Sequence, residues 1–597
     1  MTARIVMSTL PLLALGLVGP RQAPPPISRV HYELRFDAAT ARQRSLDVTM
    51  TFDVAAALPI RLSLPAWTPG AYEISNFARN VRSFEARQEA TVLRWDKADF
   101  DTWRVRPVRA GPVTLRFTYF ADELDNARAW ARTDFLLVNG TNVFLYPEGM
   151  NRNFPATVTV KTQAGWTVIT GMHRGSAGSY RETNYHDLVD MPFFIGRLDV
   201  DSSEIGGKWY RLASWPAGVF RGVERQQFHR ELAGSVPAMT QVFGETPWDS
   251  YTTLLLFEPT FSGGSALEHQ NSHVGIYQPE FIGTPILASI TAHEIFHGWN
   301  VKRLRPADLW PYRYDQPQQT VWLWVSEGIT DYYADLALVR GGVVDSAGFL
   351  ALTQEKIDQV YDAPAVSLED ASLSTWISPT DGTSSIYYPK GALAGLLLDL
   401  IIRDASDNRQ SLDHVMRDLY QRAWKAGRGF TAEDWWSAVR QAAGGRSFEH
   451  FAERYIDGRD EFPWSEVLPL AGFRLSQDSV REPRIGISTS ADSSSGAVIV
   501  TQVVPAGMGA EAGLEPGDRL ISVGDITVAG ADFGVQFRRR YAAEPEGVVV
   551  PIVVERAGRR QSLQGRLRQA VRVVRQFQFD PAPSAKAARI RKSLLGG

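Results

Sequence analysis

The hydrophobic pattern of this chain changes period twice, and those changes limit what each stretch can become. From residue 28 to about 200, apolar and polar residues alternate in short runs such as HYELRF (31–36), LDVTMTFDV (46–54), VTLRFTYF (113–120) and ATVTVKT (156–162). A period of two sends neighbouring side chains to opposite faces, so with turn residues between the runs this stretch predicts an antiparallel β domain. From about 220 the apolar spacing becomes three and four, in LASITAHEIFHGWN (287–300), VWLWVSEGITDYYADLALVRGG (321–342), GALAGLLLDLIIRDAS (391–406) and TAEDWWSAVRQAAGG (431–445). These are helices, and Gly-Gly is a natural stop for two of them. Short strands return near 480. The chain therefore reads as multidomain α+β: a signal peptide over 1–23, an N-terminal antiparallel β domain over 24–215, a mostly helical domain over 216–475, a small β module over 483–568 and a basic tail over 569–597. The Arg-rich tail, ending DPAPSAKAARIRKSLLGG, reads as a solvated end.

Composition removes several chemistries. With no cysteine there are no disulfides, iron–sulfur clusters, thiolate zinc sites or cysteine nucleophiles. A net charge of −3 gives no whole-chain attraction to nucleic acid or to an anionic membrane surface. The apolar run Ile5–Val18 follows one early Arg and is too short for a comfortable membrane span. It fits a secretory leader, so an exported protein, periplasmic or secreted, is expected, with no integral membrane segment beyond the leader.

Within the helical stretch, His293 and His297 stand one turn apart and share a helix face, so both imidazoles can reach one metal. Glu294 is adjacent to that face, where it can act as a base on water at the metal. A third His six positions further on would complete the metzincin pattern, but Arg303 stands there. The gluzincin pattern instead takes a Glu from a later helix, and WVSEGITDYY supplies Glu327. Asp331, at i+4 on the same helical face, is placed to accept the free ring N–H of a ligand His. Three protein ligands leave zinc's fourth position for water, whose pKa falls to about 7. One zinc per chain is expected. Glu294 would take the proton and return it to the leaving amine. An oxyanion donor is also needed, and SSIYYPKGALAG offers Tyr388 with Tyr387 as its competitor. Lys302, Arg303 and Arg305 follow the metal helix and would complement its C-terminal dipole.

HEIFHGWNVKRLRP and SEGITDYYADL together resemble the glycyl aminopeptidase family of gluzincin zinc metallopeptidases. LPAWTPGAYEISNFARNV (64–81) is similar to that family's β domain, and GLEPGDRLISVGD (513–525) to the PDZ domain many members carry. The resemblance implies a thermolysin-like catalytic domain, a C-terminal PDZ domain and peptide substrates with N-terminal Gly or Ala. In the more distant aminopeptidase N group, a Gly-Ala-Met-Glu-Asn strand anchors the substrate amine through its Glu. SALEH (265–269) aligns with it and offers Glu268, beside Gly263 and Gly264, whose bare backbone would let a peptide approach. Ser265 and His269 depart from that pattern. The Tyr-x-Lys-Gly motif of those relatives matches Tyr388-Pro389-Lys390-Gly391 and favours Tyr388 over Tyr387. In the PDZ module, Arg484, Ile485, Gly486 and Ile487 would form the loop that binds a peptide C-terminus. A zinc endopeptidase and a non-catalytic peptide-binding scaffold are the alternatives, and epoxide opening is a further reaction such a site can support.

Overall fold

The computed structural model describes residues 27–176, 178–491, 497–530 and 532–596, so the expected signal peptide lies outside the described residues. The chain divides into two compact units: Met1–Gly472 with Ala582–Gly597, and Phe473–Pro581.

The first unit begins with the predicted β domain. β1 (Ile27–Arg35) pairs antiparallel with β2 (Ser45–Val54), which pairs with β3 (Gly111–Phe120), at the centre of an eight-stranded sheet. In β2, Leu46, Val48, Met50, Phe52 and Val54 are buried and the residues between them are half-exposed, as the period-two pattern requires. Parallel pairing of β1 with β4 (Ala156–Lys161) departs from an all-antiparallel reading. The core of this domain also takes in Val301, Leu309, Tyr312 and Tyr314 from the helical domain, so the two share one interior.

A boundary at 215 is too late. The strands Asp199–Ile205 and β5 (Lys208–Trp215) belong to a second, five-stranded sheet, where β5 runs parallel to β6 (Ser250–Phe257). β7 (Gly264–Glu268) forms one edge of that sheet beside β8 (Ser272–Tyr277). Alternation alone cannot say which sheet a strand joins. Helices then dominate: α1 (Gly222–Phe243), α2 (Pro285–Phe296), α3 (Thr330–Arg340), α4 (Ser346–Asp362) and α5 (Tyr387–Ala405). Nearly all of α5 is buried, which explains its run of Leu and Ile. Among the described residues, no helix is long and apolar enough to cross a membrane.

In the second unit, β9 (Phe473–Arg484) pairs along its whole length with β12 (Arg568–Phe579). Between them lies a small sheet with β10 (Ile487–Ala491) at one edge and β11 (Val498–Val503) beside it, plus helix α6 (Phe533–Tyr541). Residues read as the start of a solvated tail are thus the second strand of a ribbon. The end of the chain is α7 (Ala585–Leu594), capped by Ser584, with Ala587, Ile590 and Leu594 buried in the first unit. The expectation of a solvated end fails because one apolar stripe at i, i+3 and i+7 outweighs the surrounding charges.

Candidate metal centre and active site

Helix α2 begins at a Thr284 cap with Pro285 in the first turn and carries His293 and His297 at its buried end. Their Nε2 atoms lie 2.9 Å apart. Glu327 Oε2 stands 3.1 Å from His297 Nε2 and 3.6 Å from His293 Nε2. Tetrahedral zinc with nitrogen ligands near 2.05 Å would space its donors by about 3.3 Å, so this triangle brackets the required size. Among the described residues these three form the one group whose donor atoms close on a shared point, all within 4.8 Å of one another. His297 Nδ1 lies 2.8 Å from the Asn300 carbonyl, which can only accept, so the proton sits on Nδ1 and the Nε2 lone pair is free for metal. His293 Nδ1 faces Asp331 Oδ1 at 3.6 Å, an ion contact longer than a hydrogen bond. Lys356, from α4, bridges Asp331 at 3.3 Å and Asp335 at 2.8 Å. The donor set, burial and outer partners all fit zinc.

The helix that supplies Glu327 is not the regular one expected. Trp324–Ile329 forms a π-helical turn that runs into α3. Such widened turns recur where a side chain must be re-aimed at a site. Asn300 ties this turn to the metal helix by donating to the Val325 carbonyl (2.8 Å) and to Thr330 Oγ1 (2.9 Å). Gly328 packs on Gly391 of α5 so closely that a Cβ there would sit 2.5 Å from Gly391 Cα. That approach carries Tyr387 and Tyr388 to the site. Tyr388 is half-buried, its ring centroid 5.8 Å from that of His293. The Tyr387 hydroxyl is occupied by Thr375 Oγ1 at 3.0 Å.

Glu294 is 5% exposed and its Oε2 has no hydrogen-bond partner among the described residues. Burial pushes its carboxyl up to about 7; His293 and His297 oppose that shift, and Glu268 and Glu327 add to it. A bound dication would pull it back down. Burial opposes ionisation of Glu327 as well, but the facing histidines hold it well below the usual carboxylate range.

Glu268 ends the edge strand β7 and is buried. Its neighbour is a cation: Lys302 Nζ lies 3.5 Å from Glu268 Oε1 and 3.0 Å from Asp190 Oδ1, and donates to the Pro69 carbonyl at 3.1 Å. Lys302 is therefore a buried charge partner, correcting its reading as a dipole complement. Arg303 does meet the helix end, donating to the Gly298 carbonyl, and it also bonds the Gln270 and Pro247 carbonyls. Arg305 bonds the Lys302 carbonyl and lies over the Tyr312 ring. Gly264 lacks a side chain for a packing reason, since a Cβ would lie 2.8 Å from the Tyr277 ring. Gly263 has φ +84° and open space beside it. The β domain contributes Gly70, where a Cβ would lie 2.6 Å from both Glu268 oxygens, and Tyr72, whose hydroxyl donates to Glu327 Oε1 at 2.7 Å. Sequence reasoning missed Tyr72, Asn300 and Lys356, and gave Lys302 a different role; only the Trp-Thr-Pro-Gly turn at 67–70 lay near the first of them.

In the second unit, Ile485 is buried, Ile487 half-buried, and Gly486 has φ +77° with its carbonyl accepting from Val504 N–H. Arg484 stands apart from this loop as the last residue of β9, paired with Glu482 at 2.5 Å.

A profile of the M61 glycyl aminopeptidases matches residues 287–394, which hold both histidines, Glu294, Glu327 and both tyrosines. The M61 peptidase N-terminal domain matches residues 31–197, and a PDZ domain matches 499–556. The protein is a metallopeptidase with M61-type domains. The family match supports zinc aminopeptidase chemistry for this peptidase. An aminopeptidase N family protein from Idiomarina loihiensis has a similar fold, with TM-score 0.81 and 23% identity over 95% of this chain and 100% of that one. An M1 zinc metallopeptidase from Deinococcus radiodurans aligns at TM-score 0.46 and 18% identity, over 73% of this chain and 96% of that one. No curated protein matches this chain.

Proposed function

We propose that this M61 peptidase holds one zinc ion per chain and removes small residues, Gly or Ala, from the N-termini of peptides. The observation that carries the reading is the joint burial of a His293–His297–Glu327 triangle and a separate carboxylate, Glu268, beside it. When bound, the metal would polarise the scissile carbonyl and lower the pKa of the attacking water. Glu294 accepts that water's proton and delivers it to the departing amine, a role its buried, unpartnered oxygen supports. Tyr388 donates to the carbonyl oxygen as charge develops there, and the occupied hydroxyl of Tyr387 favours Tyr388 for that task. Glu268 holds the substrate's ammonium. Asp190 is met by both Lys302 and His269, at 3.0 and 3.4 Å, whereas Glu268 Oε1 has only the more distant Lys302 at 3.5 Å and no hydrogen-bond partner among the described residues, which favours a substrate cation there.

The edge position of β10 supports capture of a peptide C-terminus by strand addition in the PDZ domain. The apolar leader supports export, which cell fractionation would test. For the peptidase itself, a time course on an unblocked pentapeptide beginning with Gly would release residues in order from the N-terminus. Internal fragments appearing first would favour an endopeptidase.

A further inference from the structure

Glu327 presents its two carboxylate oxygens to different partners. Oε2 faces the histidine nitrogens, at 3.1 and 3.6 Å, while Oε1 accepts from the Tyr72 hydroxyl at 2.7 Å. The two residues are 255 positions apart, one in the β domain and one in the helical domain. Tyr72 is buried, and its backbone is left-handed at φ 50°. An aromatic residue adopts that conformation only where its surroundings impose it.

The surroundings do so from several sides. The Pro69 carbonyl receives Lys302, and the Trp67 indole N–H donates to the Arg313 carbonyl at 2.7 Å. Ser75 and Asn76 N–H groups both bond the Ala66 carbonyl at 2.8 Å, closing the loop on itself. The Trp376 ring meets those of Trp67 and Tyr72 edge-on. The loop from Trp67 to Tyr72 is therefore anchored to Lys302, beside Glu268, and to Arg313 and Trp376 of the helical domain.

We infer that Tyr72 is a positioning residue for the metal, holding Glu327 as a one-oxygen ligand by occupying its second oxygen. Without the phenol, Oε1 would be a buried acceptor with no donor, and the carboxylate would gain by rotating or by offering both oxygens to the ion. Either change alters the coordination that leaves one position for water. The β domain thus completes the metal site. This rests on the zinc reading of the centre but is independent of the substrate.

The test is metal affinity, measured on the purified full-length chain by competition with a chromogenic chelator. Tyr72→Phe keeps the ring and removes only the hydroxyl. Zinc should bind it about 10-fold or more weakly than wild type, the size of effect that outer partners of ligands have, while the metal-free proteins melt at the same temperature. Unchanged affinity in Tyr72→Phe beside a tight wild-type site would overturn the inference alone. A wild-type chain that takes up no zinc would overturn the metal reading beneath it as well. A Tyr72→Phe protein that loses affinity only in step with a lower metal-free melting temperature would reduce Tyr72 to a packing role.

Discussion

The Lys302 ammonium lies 3.5 Å from Glu268 Oε1, and both side chains are buried. With Asp190 as its closer partner, the lysine stays charged, and Asp190 is held down to about 2 against its own burial. Replacing Lys302 by Met leaves two buried carboxylates without their cation. The expected cost is about 3–5 kcal/mol of stability, read by urea unfolding.

In the proposed mechanism Glu294 serves the attacking water and is not a ligand of the metal. Glu294→Gln should keep zinc content at the wild-type level and lower kcat by roughly 10²–10⁴-fold. Metal analysis and steady-state kinetics on the same preparation check both halves. Loss of the zinc instead would reassign Glu294 as a ligand.

Asp331 contacts His293 Nδ1 and is itself gripped by Lys356. Asp331→Asn should weaken zinc by about 10–100-fold. Lys356→Met should move affinity in the same direction. Chelator competition measures both, and wild-type affinity in the two variants would contradict the assigned chain of contacts.

His186 gives the fold an acid-sensitive point. Burial, then the nearby Arg305 and Arg152, lowers its pKa to about 4 from the usual 6.5, and its Nδ1 lies 2.7 Å from the Tyr314 hydroxyl. The unfolded chain therefore binds more protons between those values, and stability falls as pH drops from about 6.5 to about 4. His186→Gln should flatten the melting temperature across that window. An unchanged pH slope would mean that other groups set it.

How much of this was legible in the sequence follows from the range of each contact. His293, Glu294 and His297 share one helix, and Asp331 follows Glu327 by four residues, so periodicity alone relates the members of each set. The π-helical turn at Trp324–Ile329 left no pattern to read, because widening by one residue changes the direction of Glu327 and not the spacing of its apolar neighbours. Tyr72 on Glu327, and Lys302 between Asp190 and Glu268, join residues more than a hundred apart in at least one partner. Such pairs exist only once the β domain and the helical domain share a core. The final helix was a different case. Ala587, Ile590 and Leu594 carried a readable helical stripe that the surrounding arginines and lysines masked.

The central claim is that a buried zinc site works on the first peptide bond with Glu268 holding a free amine. The most direct measurement compares an alanine chromogenic amide with its N-acetylated counterpart, using zinc-loaded wild type and Glu268→Gln. Wild type should hydrolyse the free amide and leave the acetylated one intact, and Glu268→Gln should lose most of its activity on the free amide with zinc retained. Comparable cleavage of the two amides by wild type would contradict the account.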